Sequence, residues 1–229
     1  MRDDICTIPV SEVFEVNDGC PICRMRDTIE ERIIDYIMGD AMMEPDVRIE
    51  TNKVGFCEEH FAKMMSHRGR LQLALMLQTH IDEVNKNVFT KNIFVSQSKR
   101  GEKAANISDS CFICDKIEYG LSRMIETIYR CYENERDFRE LFNNQDMYCL
   151  PHYERLMAEA NKKKMRSYYG DFSKNLTRIT GNYSKDLYAK LSEYCTIYDY
   201  RANKTESDAK DCRDSVEKTI AFLNGRYYE

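Results

Sequence analysis

The sequence predicts an all-α protein. A helical unit is present twice, each copy clamped by a Cys3His zinc knuckle, with a C-terminal helix after them and a short extended segment at the N-terminus. Three observations predict this. Only 9 Gly and 4 Pro in 229 residues leave few chain breaks and favour long helices. Apolar residues recur at helical spacing through most of the chain. Four Cys/His doublets, Cys20-x2-Cys23, Cys57-x2-His60, Cys111-x2-Cys114 and Cys149-x2-His152, alternate in type along it.

The doublets are two copies of one pattern. In the first copy 33 residues separate Cys23 from Cys57, and in the second 34 separate Cys114 from Cys149. Other positions keep the offset: Arg32, Ile34 and Ile37 match Arg123, Ile125 and Ile128, and Val47-Arg48 matches Phe138-Arg139. After a one-residue insertion, Phe56-Cys57 matches Tyr148-Cys149 and Met64-Met65 matches Leu156-Met157. This is the signature of a duplicated supersecondary unit. The whole chain, 1–229, reads as one unit with repeats at about 17–95 and 108–200, a linker at 96–110 and a final helix at 205–225.

Residues 5–16 are rich in Ile, Val, Thr and Phe and predict a short extended segment. Met25, Ile29, Ile33 and Ile37 lie on one helical face, which Gly39 and the 40–46 stretch, with Pro45, bring to an end. A second helix is expected from Cys57 to about Val95, with Leu71, Ala74, Leu77, Ile81, Val84 and Val88 on one side and a kink at Gly69. The 96–110 stretch is polar and lacks periodicity. Copy two repeats the scheme: Ile117, Leu121, Met124, Ile125 and Ile128, then a polar loop, then helix from about Pro151, with Gly170 and Gly181 as division points. Ala209, Cys212, Val216, Ile220 and Leu223 stripe the last helix, and Gly225 can close it.

Two ligands separated by two residues can meet one ion with little strain, so Cys and His at this spacing point to structural zinc. Within each repeat the four ligands complete a tetrahedron: Cys20, Cys23, Cys57 and His60 in site 1, and Cys111, Cys114, Cys149 and His152 in site 2. Two zinc ions are expected, with iron or an iron–sulfur cluster as the alternative cofactor, although such clusters usually take four Cys. Ordinary buried thiols are the competing reading, but they would not produce the pattern twice.

Other residues have plainer readings. Cys6, Cys131, Cys195 and Cys212 read as small apolar residues rather than a redox pair, and His67 and His80 stand alone. Glu58 and Glu59 suit a first helical turn, since a closed metal site activates no water. Lys162-Lys-Lys-Met-Arg166, followed by Tyr168 and Tyr169, reads as a solvated helix face before a nucleic-acid patch, because a net charge of −5 opposes attraction to phosphate. Met42-Met43, Met64-Met65 and Met76 read as core filler. No phosphate-binding glycine loop, dinucleotide fingerprint, Gly-x-Ser-x-Gly or His-Glu-x-x-His is present.

Met1-Arg-Asp-Asp-Ile-Cys6 lacks the apolar stretch of a signal peptide, and no window approaches the ~18 apolar residues of a membrane helix. Together with ten cysteines this predicts a cytoplasmic protein with metal ligands in place of disulfides.

Several phrases carry a family resemblance: Cys6-Thr-Ile-Pro-Val-Ser-Glu-Val-Phe14, Gly19-Cys-Pro-Ile-Cys23, Glu50-Thr-Asn-Lys-Val-Gly-Phe-Cys-Glu-Glu-His-Phe61, Leu73-Ala-Leu-Met-Leu77, Phe138-Arg-Glu, Tyr148-Cys-Leu-Pro-His-Tyr153 and Asp199-Tyr-Arg201. They resemble a bacterial family catalogued as domain of unknown function 6062. The resemblance runs almost end to end and includes all eight candidate ligands. It implies a single family unit and brings no activity with it. The expected role is a binding or regulatory scaffold with a protein partner and no membrane. A redox or metal sensor using zinc thiolates, or an enzyme with a cleft between the repeats, are the alternatives.

Overall fold

The computed structural model describes residues 10–89, 96–197 and 212–225. Every regular element among them is helical: α1 (Val10–Glu15), α2 (Pro21–Met38), a 3-10 turn (Asp40–Met43), α3 (Pro45–Val54), α4 (Glu58–Ser66), α5 (Arg70–Asn87), α6 (Gln97–Ser108), α7 (Phe112–Asn134), α8 (Arg136–Asn143), α9 (Leu150–Glu159), α10 (Tyr169–Ile197) and α11 (Ser215–Asn224). None of these helices is long and apolar enough to cross a membrane.

The chain divides into two compact units that do not follow the repeats. The first comprises residues 1–6 and 27–121, the second residues 7–26 and 122–229. Helices α2 and α7 each begin in one unit and end in the other.

In the first unit the inner face of α2, with Ile29, Ile33 and Ile37, is fully buried. Phe56 packs edge-on against Phe61 and Phe112, joining the start of α4 to the start of α7. The expected loop after α2 contains α3, with Pro45 in its first turn. The expected helix from Cys57 is broken into α4 and α5 at Gly69, whose φ of +133° favours glycine. Of the side expected to pack, Leu71 (70% exposed), Ala74, Leu77 and Ile81 (56%) face solvent, Val84 is half-buried and Val88 is buried, while the buried residues within α5 are Leu73 and Met76. The helix is apolar on both sides, so periodicity alone did not identify the inner one. Arg48 fixes α5 to α3 by donating to Leu75 O (2.8 Å) and Thr79 Oγ1 (2.5 Å). The expected linker is α6, begun by Ser96, whose hydroxyl accepts from Lys99 N at 3.3 Å; none of its residues is buried.

The second unit is built around aromatic side chains. Phe142 stands 4.9 Å from both Tyr148 and Phe172, Tyr132 meets both phenylalanines edge-on, and Phe14 lies 5.0 Å from Phe138. The expected extended segment is corrected over Val10–Glu15, which is α1: Val10 and Phe14, one turn apart, are buried together. Its end is held by Arg24, which donates to Val13 O (2.9 Å), Val16 O (2.6 Å) and Asp18 O, and by Gln145, which donates to Phe14 O at 2.7 Å. Residues 5–9 lie outside the described residues. The expected polar loop of copy two contains α8, which buries Phe138 and Phe142. The stretch from Pro151 is divided at 160–168, just before Gly170, into α9 and α10, and α10 runs through Gly181 without the expected division. The Lys162–Arg166 run is the turn before α10 and not a helix face. Helix α11 closes at Gly225 in left-handed geometry (φ +72°), as expected, but it begins at Ser215, after a turn at 212–214, and it buries Ala221 and Phe222 while Val216, Ile220 and Leu223 of the expected stripe are exposed; residues 198–211 lie outside the described residues.

Candidate metal centres

The eight predicted ligands form two clusters, but with exchanged partners. Cys20 and Cys23 join Cys149 and His152 in the second unit, and Cys57 and His60 join Cys111 and Cys114 in the first. The within-repeat grouping is thereby corrected. Each Cys-x2-Cys doublet heads a long helix, α2 or α7, and meets the Cys-x2-His doublet of the other repeat. Helix geometry gives the reason. Glu30 lies seven residues beyond Cys23 on α2, about 10 Å along the axis, and it is Glu30 that touches His60. His60 therefore packs against the middle of α2, two turns away from the doublet at its start.

Local structure aims the sulfurs. Cys20, Cys57, Cys111 and Cys149 stand at helix starts, where their carbonyls accept the first helical hydrogen bonds from Arg24, Phe61, Asp115 and Tyr153. Two helix N-termini thus converge on each cluster, and their partial positive charge favours thiolate. In the second unit His152 Nδ1 lies 3.1 Å from Cys149 Sγ, 3.3 Å from Cys23 Sγ and 3.6 Å from Cys20 Sγ, and the Cys23 and Cys149 sulfurs are 3.6 Å apart. In the first, His60 Nδ1 lies 3.1 Å from Cys57, 3.2 Å from Cys111 and 3.4 Å from Cys114, and Cys57 is 3.9 Å from Cys114.

The sulfurs perturb one another. Burial opposes ionisation of Cys20, but hydrogen bonds from Cys149, Cys23 and His152 prevail and lower it. Cys23 is pushed up by hydrogen bonding with Cys149 and Cys20 and by burial, and Cys149 rises to about 12, chiefly through Cys20. Cys111 falls to about 6: burial works against this, but hydrogen bonds from His60 and the Cys114 and Cys57 amides win. Cys114 rises to about 12 through burial and its neighbour Cys111. The second-unit cluster thus holds a stabilised thiolate at Cys20 beside Cys23 and Cys149, which resist adding a second negative charge, and the first-unit cluster holds one at Cys111 beside Cys114, which resists likewise. A dication relieves that conflict.

The profile of DUF6062, described as a family of unknown function, matches residues 1–229. The chain belongs to the DUF6062 family. No curated protein and no solved structure matches it.

The ligand sets of this DUF6062 chain fit a tetrahedral thiophilic ion. A zinc–sulfur bond of about 2.3 Å implies sulfur–sulfur edges of roughly 3.8 Å. The four ligand atoms of each cluster lie within 4.8 Å of one another, without rearrangement of the chain.

Sequence reasoning missed Glu30. It is only 5% exposed, accepts from His60 Nε2–H at 2.8 Å and from Lys63 Nζ at 2.6 Å, and so fixes the imidazole with Nδ1 toward the sulfurs. Burial disfavours a charge on His60, but hydrogen bonds with Cys111 and Glu30 raise its pKa to about 10; an ion bound at Nδ1 would displace that proton. The available signal was a carboxylate, Glu30, between the apolar Ile29 and Ile33-Ile34, where copy two has Leu121.

The remaining candidates lie outside the clusters. His67 pairs with Asp35 at 2.9 Å, and His80 Nδ1–H donates to Asn52 O at 2.8 Å. Glu59 pairs with Lys63 at 3.5 Å. Cys212 is buried as expected and Cys131 is half-buried, but Cys195 is exposed; Cys6 lies outside the described residues. Met42, Met64 and Met76 are buried, whereas Met43 and Met65 face solvent.

Proposed function

We propose that the protein is a cytoplasmic zinc protein in which two closed Cys3His centres hold a helical scaffold that binds a protein partner. The reciprocal exchange of doublets carries this reading: each centre ties the start of one long helix to a doublet of the other repeat. Structural zinc contributes on the order of 10 kcal/mol or more of apparent binding free energy, enough to make folding depend on the ion. Zinc is favoured over magnesium or calcium by the thiolates, and over iron–sulfur clusters by the single His in each set. A reducing compartment suits ten cysteines grouped as ligands. The partner reading is supported by the outer face of α5, where Leu71, Leu75, Leu77 and Ile81 face solvent.

Elemental analysis and native mass spectrometry of the purified chain test the metal. Two zinc ions per chain are expected, with loss of helicity when a strong chelator removes them. Iron with visible absorbance, or a chain that takes up no metal, overturns the proposal.

A further inference from the structure

The two centres share a ligand set but differ in access. In the second unit Cys20, Cys149 and His152 are buried and Cys23 is half-buried. The turn that ends α11 lies against these sulfurs: Cys23 Sγ is 3.1 Å from Gly225 O. A Cβ on Gly225, whose φ is +72°, would stand 3.2 Å from Cys149 Sγ, 3.7 Å from Pro151 Cγ and 3.8 Å from Cys23 Sγ, so a side chain there would strain the turn and crowd the Cys149 sulfur. In the first unit Cys57 is half-buried and Cys114 is exposed. On the opposite side of that cluster, His60 is gripped through Glu30, which Lys63 holds in turn.

Resting on the zinc reading above, we infer that the first unit carries an exchangeable metal centre that hands its ion to a soft, thiol-bearing acceptor through Cys114, while the second centre is locked. Ligand identity cannot separate them, since both are Cys3His. What separates them is which bond an incoming ligand can replace. Ligand exchange at a four-coordinate ion needs an approach from solvent and one protein ligand free to leave. Cys114 meets both needs, being exposed and carried on the first turn of α7. His60 meets neither, being 1% exposed and held from behind. The step involves no oxidation. In the exchange the acceptor's sulfur would take the place of Cys114 Sγ, and the proton lost by the acceptor thiol would end on Cys114. At the other centre the turn at Gly225 covers the only half-buried sulfur, Cys23.

The test uses the zinc-loaded full chain mixed with excess pyridylazoresorcinol, with and without reduced glutathione. Pulses of N-ethylmaleimide, read by peptide mass spectrometry, report which cysteines have become free. One equivalent of zinc should leave at least about tenfold faster than the other. Its rate should rise with glutathione, and Cys57, Cys111 and Cys114 should be labelled in step with it, while Cys20, Cys23 and Cys149 stay protected. Gly225→Ala should accelerate only the slow phase. Release of both ions in one phase, earlier labelling of the Cys20 set, or a fast phase indifferent to glutathione overturns the inference and leaves the zinc reading standing. A chain that carries no zinc at the outset overturns both.

Discussion

Two single residues show how backbone conformation positions a ligand. Gly55 precedes Phe56-Cys57 and turns the chain from α3 into the first-unit centre with φ +71°. Its carbonyl accepts from Phe112 N at 3.0 Å, next to Cys111. A Cβ there would meet His80 Cε1 and Nε2 at 2.9 Å, and the ring cannot easily withdraw because its Nδ1–H is bound to Asn52 O. Gly55→Ala combines a left-handed backbone with this overlap and should cost about 1–3 kcal/mol in urea unfolding of the metal-loaded chain. An unchanged midpoint would mean that the turn relaxes. Gly225 meets the same conformational demand at the other centre. The eight ligands were legible because i,i+3 spacing is a local property. Glu30 was not, because its partner His60 is distant in sequence and a carboxylate within an apolar stripe reads as an irregularity.

At the scale of elements, long periodic segments were legible and short ones were not. The stripes of α2 and α7 mark the buried faces of true helices, whereas that of α11 marks a helix without marking its inner face. Helices α3 and α8, of 10 and 8 residues, disappeared into loops bounded by polar sequence. The Phe138/Phe142 spacing was the available signal for α8. Gly181 misled in the other direction. One glycine in a helix interior costs only about 1 kcal/mol, which a helix anchored by buried Phe172, Leu176, Ile179 and Leu187 readily absorbs. That cost should be recoverable. No atom lies within 4 Å of a Cβ built on Gly181, so Gly181→Ala should stabilise the protein by about 0.5–1 kcal/mol and raise its thermal midpoint. A lowered midpoint would show that the position needs glycine for a contact of its own.

At the scale of the whole molecule, the exchange of doublets was the least legible feature, because either grouping satisfies the spacing. Chain entropy does not choose between them. Grouping within a repeat closes a loop of about 40 residues, whereas Cys20 and His152 are 132 apart. By the logarithmic law of loop closure, the longer loop costs only about 1 kcal/mol more, small beside the free energy of binding a structural zinc. The decision falls to packing: the burial of α2 around Glu30 brings His60 to the middle of that helix, out of reach of Cys23. Paired substitutions in the full chain distinguish the two arrangements. Cys57→Ser with Cys114→Ser removes two ligands from the first-unit centre and should leave one tightly bound zinc in the second unit. Cys20→Ser with Cys57→Ser takes one ligand from each and should leave none that survives a strong chelator. Within-repeat grouping predicts the reverse for the two variants, so the ion counts identify which helix starts each metal joins.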